Sequence, residues 1–142
     1  MIRTICKDTA VLSAPSIEAD PTSADDRQIA ADLVDTLAMY HETCVGMAAN
    51  MIGERKRIIV VADEEMGGRP VVMLNPVITG KSGRYEAEEG CLSLPGQKTT
   101  TRYRQIEVDY VSPKGRQRHA RFSGFTAEII QHEVDHCDGV LI

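Results

Sequence analysis

No apolar run in these 142 residues is long enough to span a bilayer as a helix, which excludes a helical membrane protein. The segment Met1–Leu12 alternates apolar, polar and charged side chains and lacks the apolar core of a secretory signal. A cytoplasmic protein is therefore expected. Positive charge is in short supply: 16 Lys and Arg stand against 21 Asp and Glu, for a net charge of −5. That balance argues against direct nucleic-acid binding. The one basic cluster, Arg116, Arg118, His119 and Arg121, alternates with other residues like the solvent face of a strand.

Paired cysteines are missing as well. Cys6, Cys44, Cys91 and Cys137 are widely spaced and form no C-x-x-C pair. A disulfide framework and a four-cysteine zinc knot are both disfavoured. Cys6 and Cys137 read by default as small buried hydrophobes. Repeats, low-complexity tracts and linker-like stretches are absent, so residues 1–142 read as one domain with one core.

The elements can be placed from their periodicity. Ser23 caps a helix whose first turn holds Asp25 and Asp26, where the helix dipole favours negative charge. Ile29, Leu33, Leu37 and Tyr40 recur at helical spacing and form its buried stripe. The small residues from Val45 to Gly53 read as a loop. Arg57–Ala62 and Pro70–Ile78 are strand candidates joined across Gly67-Gly68, and Gly80–Gly83 reads as a further turn. Thr99–Val111 is extended, and Ser112-Pro113-Lys114-Gly115 turns the chain into Arg116–Phe122. A last helix runs from Gly124 to Cys137, with Ser123 as cap and Gly139 as stop. Helix, antiparallel strands, helix is the order of an α+β fold, with strands packed around the C-terminal helix.

That helix carries His132-Glu133-Val134-Asp135-His136. Residues four apart share a helix face, so both imidazoles can reach one metal ion. Glu133 lies one step round, close enough to move protons for a water on that metal. A chance match is expected on the order of once in a few hundred chains of this length. Among third ligands, His41 and His119 read as surface residues. Cys91, in Glu89-Gly90-Cys91-Leu92-Ser93, is the better candidate. Two histidines and one cysteine leave a coordination position open, as catalytic sites do.

Glu89–Ser93 resembles the E-G-C-L-S motif of peptide deformylases, and His132–His136 resembles their H-E-x-D-H motif. Gly46-Met47-Ala48-Ala49 is similar to their G-L-A-A segment, in the same order along the chain. The resemblance covers nearly the whole sequence. It implies hydrolytic removal of the formyl group from the N-terminal methionine of peptides or nascent polypeptides. It also implies ferrous iron as the metal, with Zn2+, Ni2+ or Co2+ able to replace it, and a monomeric enzyme without membrane attachment. Glu133 would carry the proton to the leaving amine, and the Leu92 N–H would hold the oxyanion. Gly46 and Met47 would meet the peptide, and apolar groups near Ile129 would line the methionine pocket. Arg102 matches a family arginine in place and could pair with Glu89.

The family's G-x-G-L-A-A-x-Q reads here Cys44-Val45-Gly46-Met47-Ala48-Ala49-Asn50-Met51. Met51 stands where the family has a glutamine that donates to the oxyanion, and a thioether has no proton to donate. Asn50 is an alternative donor on this reading. Reduced activity is one expectation. The alternatives are a metal-retaining formyl-peptide binding protein, an amidohydrolase of another small acyl-amide, and a zinc protease. The short segment after His136 is expected to leave one side of the last helix open.

Overall fold

Ile58–Val61 consists of β-branched residues only, and in the computed structural model, which describes residues 1–142, it is buried on both faces. Side chains alternate across a strand. Ile58 and Val60 pack with Ile29, Leu33 and Leu37 of helix α2 (Ala24–Met39). Ile59 and Val61 pack with Ala127, Ile130 and Val134 of helix α3 (Gly124–Cys137). A sheet with one helix on each face follows. Full burial of each such aliphatic side chain contributes about 1.5–3 kcal/mol.

The sheet is an antiparallel meander in chain order: β1 (Gly46–Ala48), β2 (Ile58–Val61), β3 (Val71–Cys91), β4 (Leu94–Val111) and β5 (Gln117–Ser123). Short helix α1 (Thr9–Leu12) and 3-10 turns at Ala49–Ile52 and Glu64–Met66 complete the elements. The α+β architecture is the one expected. Ser23 accepts from the Asp26 N–H at 3.3 Å and caps α2 as predicted. Tyr40 is only half-buried, because the helix has already ended there.

Four local expectations are corrected. Gly80–Gly83 does not reverse the chain: β3 runs through it, with a register shift between Ile78 and Gly80 and a positive φ of 77° at Gly83. The glycines mark irregularity within a long ribbon, a use that sequence does not distinguish from a turn. Likewise β4 begins at Leu94 rather than Thr99, despite Pro95 and Gly96. Val45–Gly53 is no plain loop but holds β1 and a 3-10 turn, with Gly46–Ile52 wholly buried. Finally, α3 is not left open. Beyond Gly124 and Phe125 at its start, every residue is buried or half-buried, and the Ser16 N–H donates to the Cys137 carbonyl at 2.8 Å.

The basic strand does lie on the surface. Arg121 pairs with Glu107 at 3.0 Å, and His119 contacts Asp109 and Glu107 on neighbouring β4. Cross-strand acids thus answer much of its charge.

Candidate metal centre

The β3–β4 hairpin closes at Leu92-Ser93, with Cys91 directly opposite Leu94, and its tip lies against α3. This brings Cys91 to His132 and His136, one turn apart on the helix. The His132 and His136 Nε2 atoms are 3.0 Å apart, and Cys91 Sγ lies 3.3 Å from His136 Nε2. One ligand atom from each of the three residues falls within 4.8 Å of the others, so the trio could hold a metal ion. His41 and His119, the rejected histidines, are both exposed.

Behind the triad lies a chain of charge-assisted hydrogen bonds. Glu89 accepts from His132 Nδ1 at 2.8 Å, which turns Nε2 toward Cys91 and His136. Arg102 grips both Glu89 oxygens, at 2.7 and 2.9 Å, and reaches Asp135 at 2.6 Å. Burial works against the charge on Glu89, but His132 and Arg102 overcome it and hold the carboxyl at about 2. Burial, reinforced by His132, pushes His136 down to about 3, so it is neutral, the form that ligates a metal. Around His132 the same burial is outweighed by Cys91 and Glu89, which raise it to about 10.

Glu133 is 4% exposed, and its Oε1 has no hydrogen-bond partner in the protein. Burial pushes its carboxyl up to about 7. Gly46 passes close above it: a Cβ there would lie 2.5 Å from Ile129 Cγ2 and 3.0 Å from Glu133 Oε2. Only glycine lets the strand approach this closely. An orphan buried carboxyl beside a convergent Cys-His-His set fits a hydrated divalent cation, since it needs a proton donor that no protein group supplies.

Cys91, His132 and Glu133 face a cavity of about 570 Å³ walled also by Cys44, Met51, Leu92, Phe125 and Ile129, among others, while His136 lies fully buried behind them. Leu92, Gly46, Met51 and Ile129 thus reach the cavity, but Met47 does not. Alternation along β1 turns Met47 into the core on the α2 side, fully buried. The Gly46 carbonyl already accepts from the Cys44 thiol at 2.9 Å. Asn50 does not face the cavity either. Its amide donates to the His136 carbonyl at 2.8 Å, tying the 3-10 turn to the metal-binding helix. Sequence reasoning missed that strut; a lone amide in a run of small apolar residues was its only signal.

A helix bearing H-E-x-x-H against a cysteine at a hairpin tip defines an α+β protein with a cluster that could hold one metal ion. The family model for polypeptide deformylase matches residues 2–142, and the chain belongs to that family. It is 47% identical over 142 residues to a peptide deformylase of Clostridium beijerinckii, covering 100% of both chains. A Pelotomaculum thermopropionicum peptide deformylase is 43% identical over 112 residues, 77% of this chain and 70% of that protein. Among solved structures, the class I type b peptide deformylase of Acinetobacter baumannii with Met-Ala-Ser bound superposes with a TM-score of 0.87 at 30% identity. That match covers 99% of this chain and 97% of the other. The actinonin-bound form of the same Acinetobacter enzyme gives 0.87 at 32% identity, over 99% and 95% of the two chains.

Proposed function

We propose that this chain is a metal-dependent hydrolase that removes the formyl group from N-terminal methionine of peptides or nascent polypeptides. The observation that carries the reading is Glu133, an orphan buried carboxyl beside the Cys91, His132 and His136 cluster and on the same cavity as Cys91 and His132. The ion, Fe2+ in the cell with Zn2+, Ni2+ or Co2+ as substitutes, supplies Lewis acidity and an activated water when bound. Cys91, His132 and His136 hold it, and Glu89 and Arg102 keep the His132 ring oriented.

The remaining steps belong to the chain. Glu133 takes the proton of the attacking water and passes it to the amide nitrogen as the C–N bond breaks. Its raised value, about 7, suits a group that must accept and release a proton near neutrality. The Leu92 N–H, free of acceptors within the chain, points to the developing oxyanion as its role. Gly46 leaves room for the peptide beside Glu133, and Ile129 with Phe125 supplies apolar surface for the methionine side chain. The Acinetobacter relative was solved with Met-Ala-Ser bound, the peptide that deformylation of formyl-Met-Ala-Ser would leave. A cytoplasmic, single-domain monomer belongs to the same proposal.

One observation favours a second reading. Met51 on the cavity wall brings no donor, and Asn50 is committed to the His136 carbonyl, so the oxyanion has fewer partners. A metal-retaining protein that binds formyl-peptides, or hydrolyses them slowly, is that alternative. Mass spectrometry of formyl-Met-Ala-Ser incubated with iron- or nickel-loaded protein tests both. Multiple turnovers to Met-Ala-Ser support the enzyme; an intact peptide that co-purifies with the protein supports the binder.

A further inference from the structure

The cavity expected to be lined by apolar groups has a carboxylate in its wall. Phe125, Glu128, Ile129 and His132 share the cavity-facing side of α3, so Glu128 sits one turn before the first metal-binding histidine. The four residues from Glu128 to His132 rise about 6 Å along the axis, between one and two residue spacings of an extended peptide. Glu128 is half-buried, and its Oε1 accepts from the Tyr85 hydroxyl at 2.8 Å. Burial pushes Tyr85 up to about 12, so it remains a neutral donor that fixes the carboxyl. Burial and neighbouring Glu89 raise the Glu128 carboxyl itself, a shift that a cation beside it would oppose.

The charge balance of the wall is one-sided. Glu88, Glu89, Glu128 and Glu133 line the cavity, and no lysine or arginine does. Glu89 is answered by Arg102 and His132, and Glu133 is the proton carrier. Glu88 and Glu128 form no ion pair. Arg102 also acts on Glu128 electrostatically, but its ion pairs are with Glu89 and Asp135, and Arg104 stacks on the Tyr85 ring at 4.7 Å. A cation entering the cavity would therefore find Glu128 fixed, partly desolvated and unpaired.

We infer that Glu128 is a specificity-determining residue, selecting formyl-methionyl peptides with a basic side chain directly after the methionine. The inference rests on the deformylase reading above. Ile129 and Phe125 serve the methionine, while Glu128 pairs with the lysine or arginine that follows. An ion pair at a partly exposed site is worth about a two- to fivefold preference and weakens as salt rises. An acidic residue at that position meets Glu88 and Glu128 and is disfavoured by a similar factor.

The test compares formyl-Met-Lys-Ser, formyl-Met-Ala-Ser and formyl-Met-Glu-Ser on metal-loaded wild type and Glu128→Gln, whose amide keeps an acceptor for Tyr85. Wild type should rank Lys above Ala above Glu in kcat/KM at low salt. In Glu128→Gln the Lys-to-Glu ratio should fall several-fold. A ratio unchanged by the substitution, or absent in wild type, overturns the inference. Matching thermal midpoints exclude misfolding of the variant. If no peptide releases formate, the deformylase reading fails separately. Calorimetric affinities of Met-Lys-Ser and Met-Glu-Ser for the two proteins then decide the role of Glu128 by the same ratio.

Discussion

Replacing Met51 by glutamine should raise turnover and lower stability at once. Met51 is 1% exposed in the 3-10 turn Ala49–Ile52 and lines the cavity beside Leu92 and Glu133. Glutamine has a similar reach and adds an amide donor that the thioether lacks. Removing one oxyanion donor typically lowers kcat by about a hundred- to a thousandfold, or roughly 2.7–4 kcal/mol, so restoring one should recover a large part of that factor. Without substrate the same amide is buried among apolar groups and partly unpaired, a penalty of about 1–3 kcal/mol. For a chain of this size the thermal midpoint should drop by roughly 4 °C per kcal/mol. Formate release under saturating formyl-Met-Ala-Ser, at matched metal content, gives kcat; calorimetry gives the midpoint. Faster turnover in a less stable protein is a combination that simple repacking does not produce. A kcat that fails to rise at least tenfold would refute the idea that Met51 leaves the oxyanion short of a donor.

Cys91→Ser should weaken metal retention by on the order of a hundredfold, because a hydroxyl is a far poorer ligand than a thiolate; metal analysis after dialysis against a chelator reads this directly. Arg102→Ala leaves the buried Glu89 carboxylate without its main partner, so unfolding free energy should fall by about 3–5 kcal/mol in denaturant titrations. Metal affinity should fall with it, as His132 loses its fixed orientation. Gly46→Ala drives a methyl group into Ile129 and Glu133; about 1–3 kcal/mol of destabilisation together with loss of formate release is expected.

Much of this architecture was legible because the relevant signals are periodic or local. Ile29, Leu33 and Leu37 announce the inner face of α2, and the i, i+4 histidines announce their shared face on α3. Cys91 could be chosen over His41 and His119 because its neighbours are small and the others sit in polar surroundings. Irregular backbone was harder. Gly80 and Gly83 have the composition of a turn, yet cross-strand pairing with Glu107 and Tyr103 carries the ribbon past them. The run from Gly46 to Ile52 is short and small-residued, so its burial depends on helices far away in sequence. Polar residues facing inward were the least visible. Asn50, bound to the His136 carbonyl, and Glu128, bound to Tyr85, owe their roles to partners 86 and 43 positions away. Met47 shows the opposite error: motif position suggested substrate contact, but strand alternation sends it into the core.

Glu133 is the residue on which the account turns, and the most direct measurement compares formate release by wild type and Glu133→Ala loaded with equal amounts of iron or nickel. Formyl-Met-Ala-Ser should be hydrolysed by wild type and left intact by Glu133→Ala, with both proteins retaining the metal on Cys91, His132 and His136. Equal turnover by the two would contradict the role of Glu133, and no formate from metal-loaded wild type would contradict the deformylase reading itself.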